Sequence, residues 1–179
     1  VICLNDVSLK LPTGVYGLLG PIGSGKTTLI NLIMGQLRPS IGSLRIMGAD
    51  PSWEGAYLRR IGLCPATDIY LPKITGLEWV TNQICLYGIH RIEAVKLAKE
   101  ALEVVKMSHA WNSPLATYSL GMRQRCKLAQ AIAHTPDFLI LDEPFNGLDP
   151  VGRIEMTQFL RGWVKQGRSL MMASHILHE

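Results

Sequence analysis

The chain has 179 residues, 47% of them hydrophobic and 18% charged, which excludes a disordered polymer and supplies a core for one domain or a domain with a subdomain. A net charge of +4 admits an acidic ligand or an anionic surface, but the basic residues are scattered without interleaved aromatics, so no nucleic-acid partner is expected. Cys3, Cys64, Cys85 and Cys126 stand far apart and suggest reduced thiols rather than a zinc cluster; no apolar stretch reaches the roughly 18 residues a bilayer span needs, and no signal peptide pattern opens the chain.

In chain order, Val7, Leu9 and Leu11 alternate like a strand before a turn at Pro12, Thr13 and Gly14. Residues 15–19 form an apolar run suited to a strand buried on both faces, and it leads into a glycine-rich loop. Residues 26–34 read as a helix, apolar almost all round, with Gly35 as its stop. Residues 42–48 and 61–64 are further strands. From about residue 75 the texture turns helical. One helix covers 77–87 and ends at Gly88. The next covers 91–107, with Val95, Ala98, Leu102 and Val105 on one face and Lys96 and Glu100 opposite. A third covers 120–133, with Met122, Cys126, Ala129 and Ala133 on one side. After Pro136 a buried strand covers 138–141. A helix then starts at Asp149 and Pro150, with Met156, Phe159, Leu160, Trp163 and Val164 as its apolar face, and Gly167 ends it. Residues 169–173 are the last strand. The pattern is an α/β core interrupted by a helical insertion.

Gly20, Pro21, Ile22, Gly23, Ser24, Gly25, Lys26, Thr27 and Thr28 match the G-x-x-x-x-G-K-[ST] pattern. Its chemistry follows from charge. A triphosphate needs many donors at close range, glycines let backbone N–H groups face it, and a helix start adds its dipole. Lys26 reaches the β- and γ-phosphates, and the Thr27 hydroxyl is a Mg²⁺ ligand. The strand at 138–141 ends in Asp142 and Glu143, at the carboxyl edge where α/β folds bind ligands. Asp142 suits Mg²⁺, and Glu143 suits activation of a water.

Three further features have an ordinary structural reading to weigh. Ser119 and Gly121 open a helix, as a second phosphate surface or as an ordinary N-cap followed by a solvated face at Arg123 and Arg125. Asp149 before Pro150 is a well-formed helix cap whatever else it does. His175 follows the last strand at the same carboxyl edge, as a ligand contact or an exposed histidine.

In this order the elements resemble the ATP-binding domain of ABC transporters over nearly the whole chain. Residues 20–28 look like its Walker A, 118–124 like its signature, 139–143 like its Walker B, 146–149 like its D-loop and His175 like its switch histidine. The resemblance implies a P-loop NTPase core with a parallel sheet, an antiparallel β subdomain and an inserted helical subdomain. The corresponding boundaries are 1–65 and 137–179 for the core and 66–136 for the helical part. It also implies ATP and Mg²⁺ as cofactors, with Lys26, Glu143 and His175 as catalytic residues and Thr27 and Asp142 as metal ligands. Two such domains pair head to tail, as homo- or heterodimer, and Ser119, Gly121 and Asp149 serve the shared site. A transmembrane permease is the second partner, which places the chain at the cytoplasmic face of a membrane.

Some details depart from the family pattern. The signature reads Tyr118-Ser-Leu-Gly-Met122, a form similar to exporter-type, bacitracin-resistance-like ATPases. Ala66 stands where a Q-loop glutamine is expected. Both ends look cut, with the adenine-stacking aromatic expected before Val1. A soluble ABC-type ATPase acting on ribosomes or DNA, and a weakly hydrolysing regulatory module, are the competing readings. Trp79, Ile84 and Leu86 are either core or a face for the permease.

Overall fold

A computed structural model describes residues 4–69 and 71–175. Four strands form one fully parallel sheet: β1 (Val15–Leu19), β2 (Ile61–Cys64), β3 (Phe138–Asp142) and β4 (Ser169–Ser174), in the order β1-β4-β3-β2. Parallel strands need crossovers, and helices supply them. The helices are α1 (Lys26–Ile33), α2 (Gly76–Leu86), α3 (Arg91–Val104), α4 (Leu120–Ile132) and α5 (Pro150–Lys165).

Alternation along the strands divides the core between the two faces of the sheet. Ile61, Ile140, Met171 and Ala173 pack with Ile30 and Ile33 of α1. Cys64, Leu139, Leu141 and Leu170 pack with residues of α2 to α5, among them Val80, Leu102, Leu128 and Met156. The helical insertion thus shares a core with the sheet. The packing of α4 on β2 depends on Gly62, where a Cβ would overlap the Ala131 carbonyl.

Local chemistry sets the helix ends. Thr75 and Glu78 form a reciprocal capping box at α2, and the Asp149 carboxylate accepts from the Gly152 N–H at 2.9 Å with Pro150 in the first turn of α5. Helix α3 stops at Val104, short of the expected 107, because Lys106 takes a positive φ of 61° that no helix accommodates.

Two strand expectations are corrected. The run at 15–19 is not buried on both faces. It is the sheet's edge, so Tyr16 and Leu18 meet the α1-side core while Val15 and Leu19 are each 55% exposed. Of the antiparallel pattern at 7–11 and 42–48, the described residues form only a bridge between Ile46 and Ala49. Alternation alone does not hold a strand. It needs paired neighbours and a covered face, and Val7, Leu9 and Leu11 lie exposed.

Candidate functional site

The carboxyl edge of the sheet gathers the residues that sequence reasoning singled out. The loop of residues 20–25 leaves β1, Pro65 leaves β2, Glu143 leaves β3 and His175 leaves β4. Gly23 and Gly25 take positive φ of 87° and 92°, the left-handed conformation that glycine adopts without strain and that a phosphate-binding loop needs. No side chain caps the start of α1, and its first turn holds no acidic residue, so its positive end stays open to an anion. Ile22 is 90% exposed at the tip of the loop, and Thr28 is half-buried in α1. Lys26 lies over the loop, its Nζ donating to the carbonyls of Gly20 at 2.6 Å and Pro21 at 3.1 Å.

Across the edge, the Thr27 hydroxyl donates to Asp142 Oδ2 at 3.4 Å. Asp142 is 5% exposed, and burial pushes its carboxyl above the ordinary range. The Thr27 bond pulls it back, the Glu143 charge raises it further, and Lys26 and Lys127 lower it. Glu143 holds a positive φ of 53°, a costly conformation for a residue with a Cβ, and its N–H donates to the Ala173 carbonyl at 2.9 Å. Its Oε1 accepts from the His175 N–H at 3.1 Å and stands 2.8 Å from His175 Nδ1. Its Oε2 is buried without a hydrogen-bond partner among the described residues.

Thr27 and Asp142 together present hard oxygen donors of the kind Mg²⁺ takes, and the orphaned Glu143 oxygen adds an acceptor for a water or a metal-bound water. Among the described residues no three His, Cys, Asp or Glu side chains form a cage. Mg²⁺ in phosphate sites ordinarily takes one or two protein ligands and completes its shell from phosphate and water, so this donor set fits.

Ser119 and Gly121 stand apart from this edge in their bonding. Ser119 Oγ accepts from the Met122 N–H at 3.2 Å, which is the capping role. A Cβ at Gly121 would lie 3.0 Å from the Gly147 carbonyl, and Leu120 packs against Gly147. The start of α4 therefore rests on residues 147–148, while Ser119 itself is exposed. Arg123 and Arg125 are not a solvated face: Arg123 meets Asp68, and Arg125 meets Glu155 and the Val105 carbonyl. Trp79 donates to Gln130 at 2.6 Å and Ile84 is wholly buried, so of that trio only Leu86, 79% exposed, faces outward.

Two residues carry contacts that the sequence did not assign them, Gln124 at the end of the 118–124 signature and Lys127 beyond it. Gln124, 2% exposed, donates to the Pro144 carbonyl at 3.0 Å beside the Asp142–Glu143 pair. Lys127, 4% exposed, reaches the loop after β2. Both lie on α4, where a polar residue reads as solvent-facing unless its distant partner is known.

The ABC transporter family matches residues 4–146. An uncharacterized ABC transporter ATP-binding protein of Bacillus subtilis is 39% identical over 98% of this chain and 57% of its own length. A bacitracin transport ATP-binding protein of Bacillus licheniformis is 36% identical over 98% of this chain and 58% of its own. A lantibiotic transport ATP-binding protein of Streptococcus pyogenes is 32% identical over 98% and 75%. The chain thus spans little more than half the length of the first two relatives. Among solved structures, a dimeric bacterial ABC transporter cassette superposes with a TM-score of 0.86 at 25% identity, covering 98% of this chain and 81% of that one. The ATP-binding subunit of an ABC transporter gives 0.79 at 26%, covering 93% and 69%. Among the described residues no helix is long and apolar enough to cross a membrane.

Proposed function

Because this chain belongs to the ABC transporter family, we propose that it is the ATP-hydrolysing part of a transporter, driving a transmembrane permease through ATP-dependent pairing of two such domains. The observation that carries the reading is the meeting of Thr27 with Asp142 at 3.4 Å, which joins the phosphate loop to the carboxylate pair at one sheet edge.

In this reading the N–H groups of residues 20–28 and the start of α1 hold the phosphates of ATP. Lys26 swings from its own loop carbonyls to the β- and γ-phosphates. Thr27 and Asp142 would hold Mg²⁺, which would supply neutralisation of phosphate charge when bound. Glu143 orients a water and accepts its proton, with Oε2 as the oxygen not already bonded to His175. Ser119 and Gly121 of one copy close the site of the other. Asp149, already engaged as the α5 cap, contributes by fixing the loop on which Gly121 rests.

The permease is assigned to the groove of about 310 Å³ lined by Leu58, Arg59, Gln83 and Leu86, where an exposed apolar side chain adjoins a cation. The chain would then work peripherally at the cytoplasmic face of a membrane. Two relatives carry the transport of bacitracin and of lantibiotics in their names and two others the export of Nod factor, which favours export as the class of task.

The test uses the full protein with Glu143→Gln. ATP should convert it from monomer to dimer by light scattering, with hydrolysis reduced by about 10²–10⁴-fold. Unchanged hydrolysis, or no ATP-dependent change in mass, would count against the reading.

A further inference from the structure

The loop after β2 is where the family resemblance expects a glutamine and where Ala66 offers only a methyl group. Two cations of α4 hold that loop instead. Lys127 Nζ donates to the carbonyls of Pro65, Ala66 and Thr67 at 2.9, 3.4 and 3.2 Å. An ammonium carries three protons, and three acceptors meet them. One turn earlier, Arg123 Nε stands 3.0 and 2.8 Å from the two oxygens of the Asp68 carboxylate. Residues four apart share a helix face, so four consecutive loop residues are gripped from one side of α4.

Core filling does not explain Lys127. A buried charge is costly unless fully bonded, and an apolar side chain would fill the same space without that cost. The location is informative as well. The loop continues β2, which pairs directly with the strand that ends in Asp142. Helix α4 starts at Ser119 and Gly121. The grip therefore joins the Ser119 end of the helical insertion to the edge that carries the carboxylates.

We propose that Lys127, supported by Arg123, is a positioning residue that fastens residues 65–68 to α4, so that loop and helix move as one body during the ATP cycle. The link that Ala66 cannot make with its side chain is made through backbone carbonyls. The catalytic half of this inference rests on the ATPase reading above; the mechanical half does not.

The experiment uses the full protein carrying Lys127→Met, Asp68→Asn, or Lys127→Met with Ala66→Gln. Amide exchange across residues 66–69, MgATP affinity and turnover are measured together. Lys127→Met should raise exchange at least tenfold at Ile69, whose N–H donates to Asp68 Oδ1 at 2.9 Å, leave α1 unchanged, lower kcat at least tenfold and keep KM within threefold. Asp68→Asn should give the same pattern at two- to fivefold. Adding Ala66→Gln should restore at least half of the lost turnover. A merely structural lysine would lower affinity and turnover together and gain nothing from glutamine at 66. Unchanged exchange in both single variants overturns the fastening, and a loosened loop with normal kcat overturns its role in turnover. If Lys127→Met does not fold, Asp68→Asn, at the surface, decides by the same criteria. If the unaltered protein hydrolyses no ATP, the ATPase reading fails while the exchange measurement still decides the fastening.

Discussion

His175 Nδ1 stands 2.8 Å from Glu143 Oε1, and the His175 backbone N–H reaches the same oxygen. The carboxylate side chain is only 13% exposed, so it relies on these bonds for its orientation. One oxygen is thereby fixed, and the other is buried without a hydrogen-bond partner among the described residues.

His175→Ala should therefore damage turnover more than binding. The backbone bond survives, but the carboxylate gains freedom in a site where misplacement is costly. A fall in kcat of at least tenfold is expected, with MgATP affinity within about threefold of the parent. Equilibrium binding and steady-state hydrolysis on one preparation separate the two. Equal losses in both would assign His175 to ground-state binding instead.

Asp142 gives a prediction with opposite signs for stability and activity. Burial raises its carboxyl above the reference 3.8 in the folded chain. The folded state then binds the proton more tightly than the unfolded state, so stability falls as pH rises from 3.8 through the raised value. Asp142→Asn removes that loss and keeps an oxygen to accept from Thr27. The variant should melt at a higher temperature than the parent at pH 7 without nucleotide, and the gap should narrow as pH is lowered toward 3.8. Hydrolysis should be lost, because an amide is a poor Mg²⁺ ligand. A lower melting temperature for the variant at pH 7 would show that the ionised carboxylate stabilises the fold.

The legible parts of this molecule are those whose signal is local. The glycine-lysine-threonine spacing of 20–28, the caps at Ser119 and Asp149, and the 3.6-residue periods of the helices depend on neighbours within one or two turns, and the structure places them as read. The edge position of β1 was not legible, because an apolar run of five residues looks the same at an edge and at a centre. Residues 7–11 alternated correctly yet formed no strand, since pairing is decided by segments far along the chain. Lys127 was hidden for the same reason. Its partners lie about 60 residues away, and a lysine on an amphipathic helix ordinarily faces water.

The cysteines test the burial of the site's inner wall. Cys64 and Cys126 are 0% exposed, and burial holds both thiols at about 12, with the Lys127 charge pulling Cys64 down only in part. Almost no thiolate exists at pH 8, and the thiolate is the reactive form. Of the cysteines among the described residues, iodoacetamide should label the half-buried Cys85 first and leave Cys64 and Cys126 unlabelled until the chain unfolds, while Cys3 lies outside the described residues. Peptide mass spectrometry before and after denaturation reads this directly. Labelling of Cys64 at the pace of Cys85 would mean that the loop after β2 opens far more often than its bonding to α4 allows.

At Gly62 the sheet and the helical insertion approach too closely to admit a Cβ, and a single methyl group there should separate them. A Cβ at Gly62 would overlap the Ala131 carbonyl and lie 2.9 Å from Pro136 Cγ. Backbone on one side and a rigid ring on the other cannot move aside as a flexible side chain would. Gly62→Ala should cost about 3 kcal/mol, the upper part of the ordinary range for overpacking, and lower Tm by roughly 6–12 °C for a domain of this size. The strain falls on α4 about one turn from Lys127, which holds the loop after β2. Gly62→Ala should therefore also quicken amide exchange at Ile69 at temperatures well below the melt. Gly121→Ala is the comparison, because its new Cβ would lie 3.0 Å from one carbonyl at the exposed start of the same helix. A smaller loss of Tm is expected there. Equal losses at the two positions would mean that the contact between β2 and α4 yields more readily than its geometry implies.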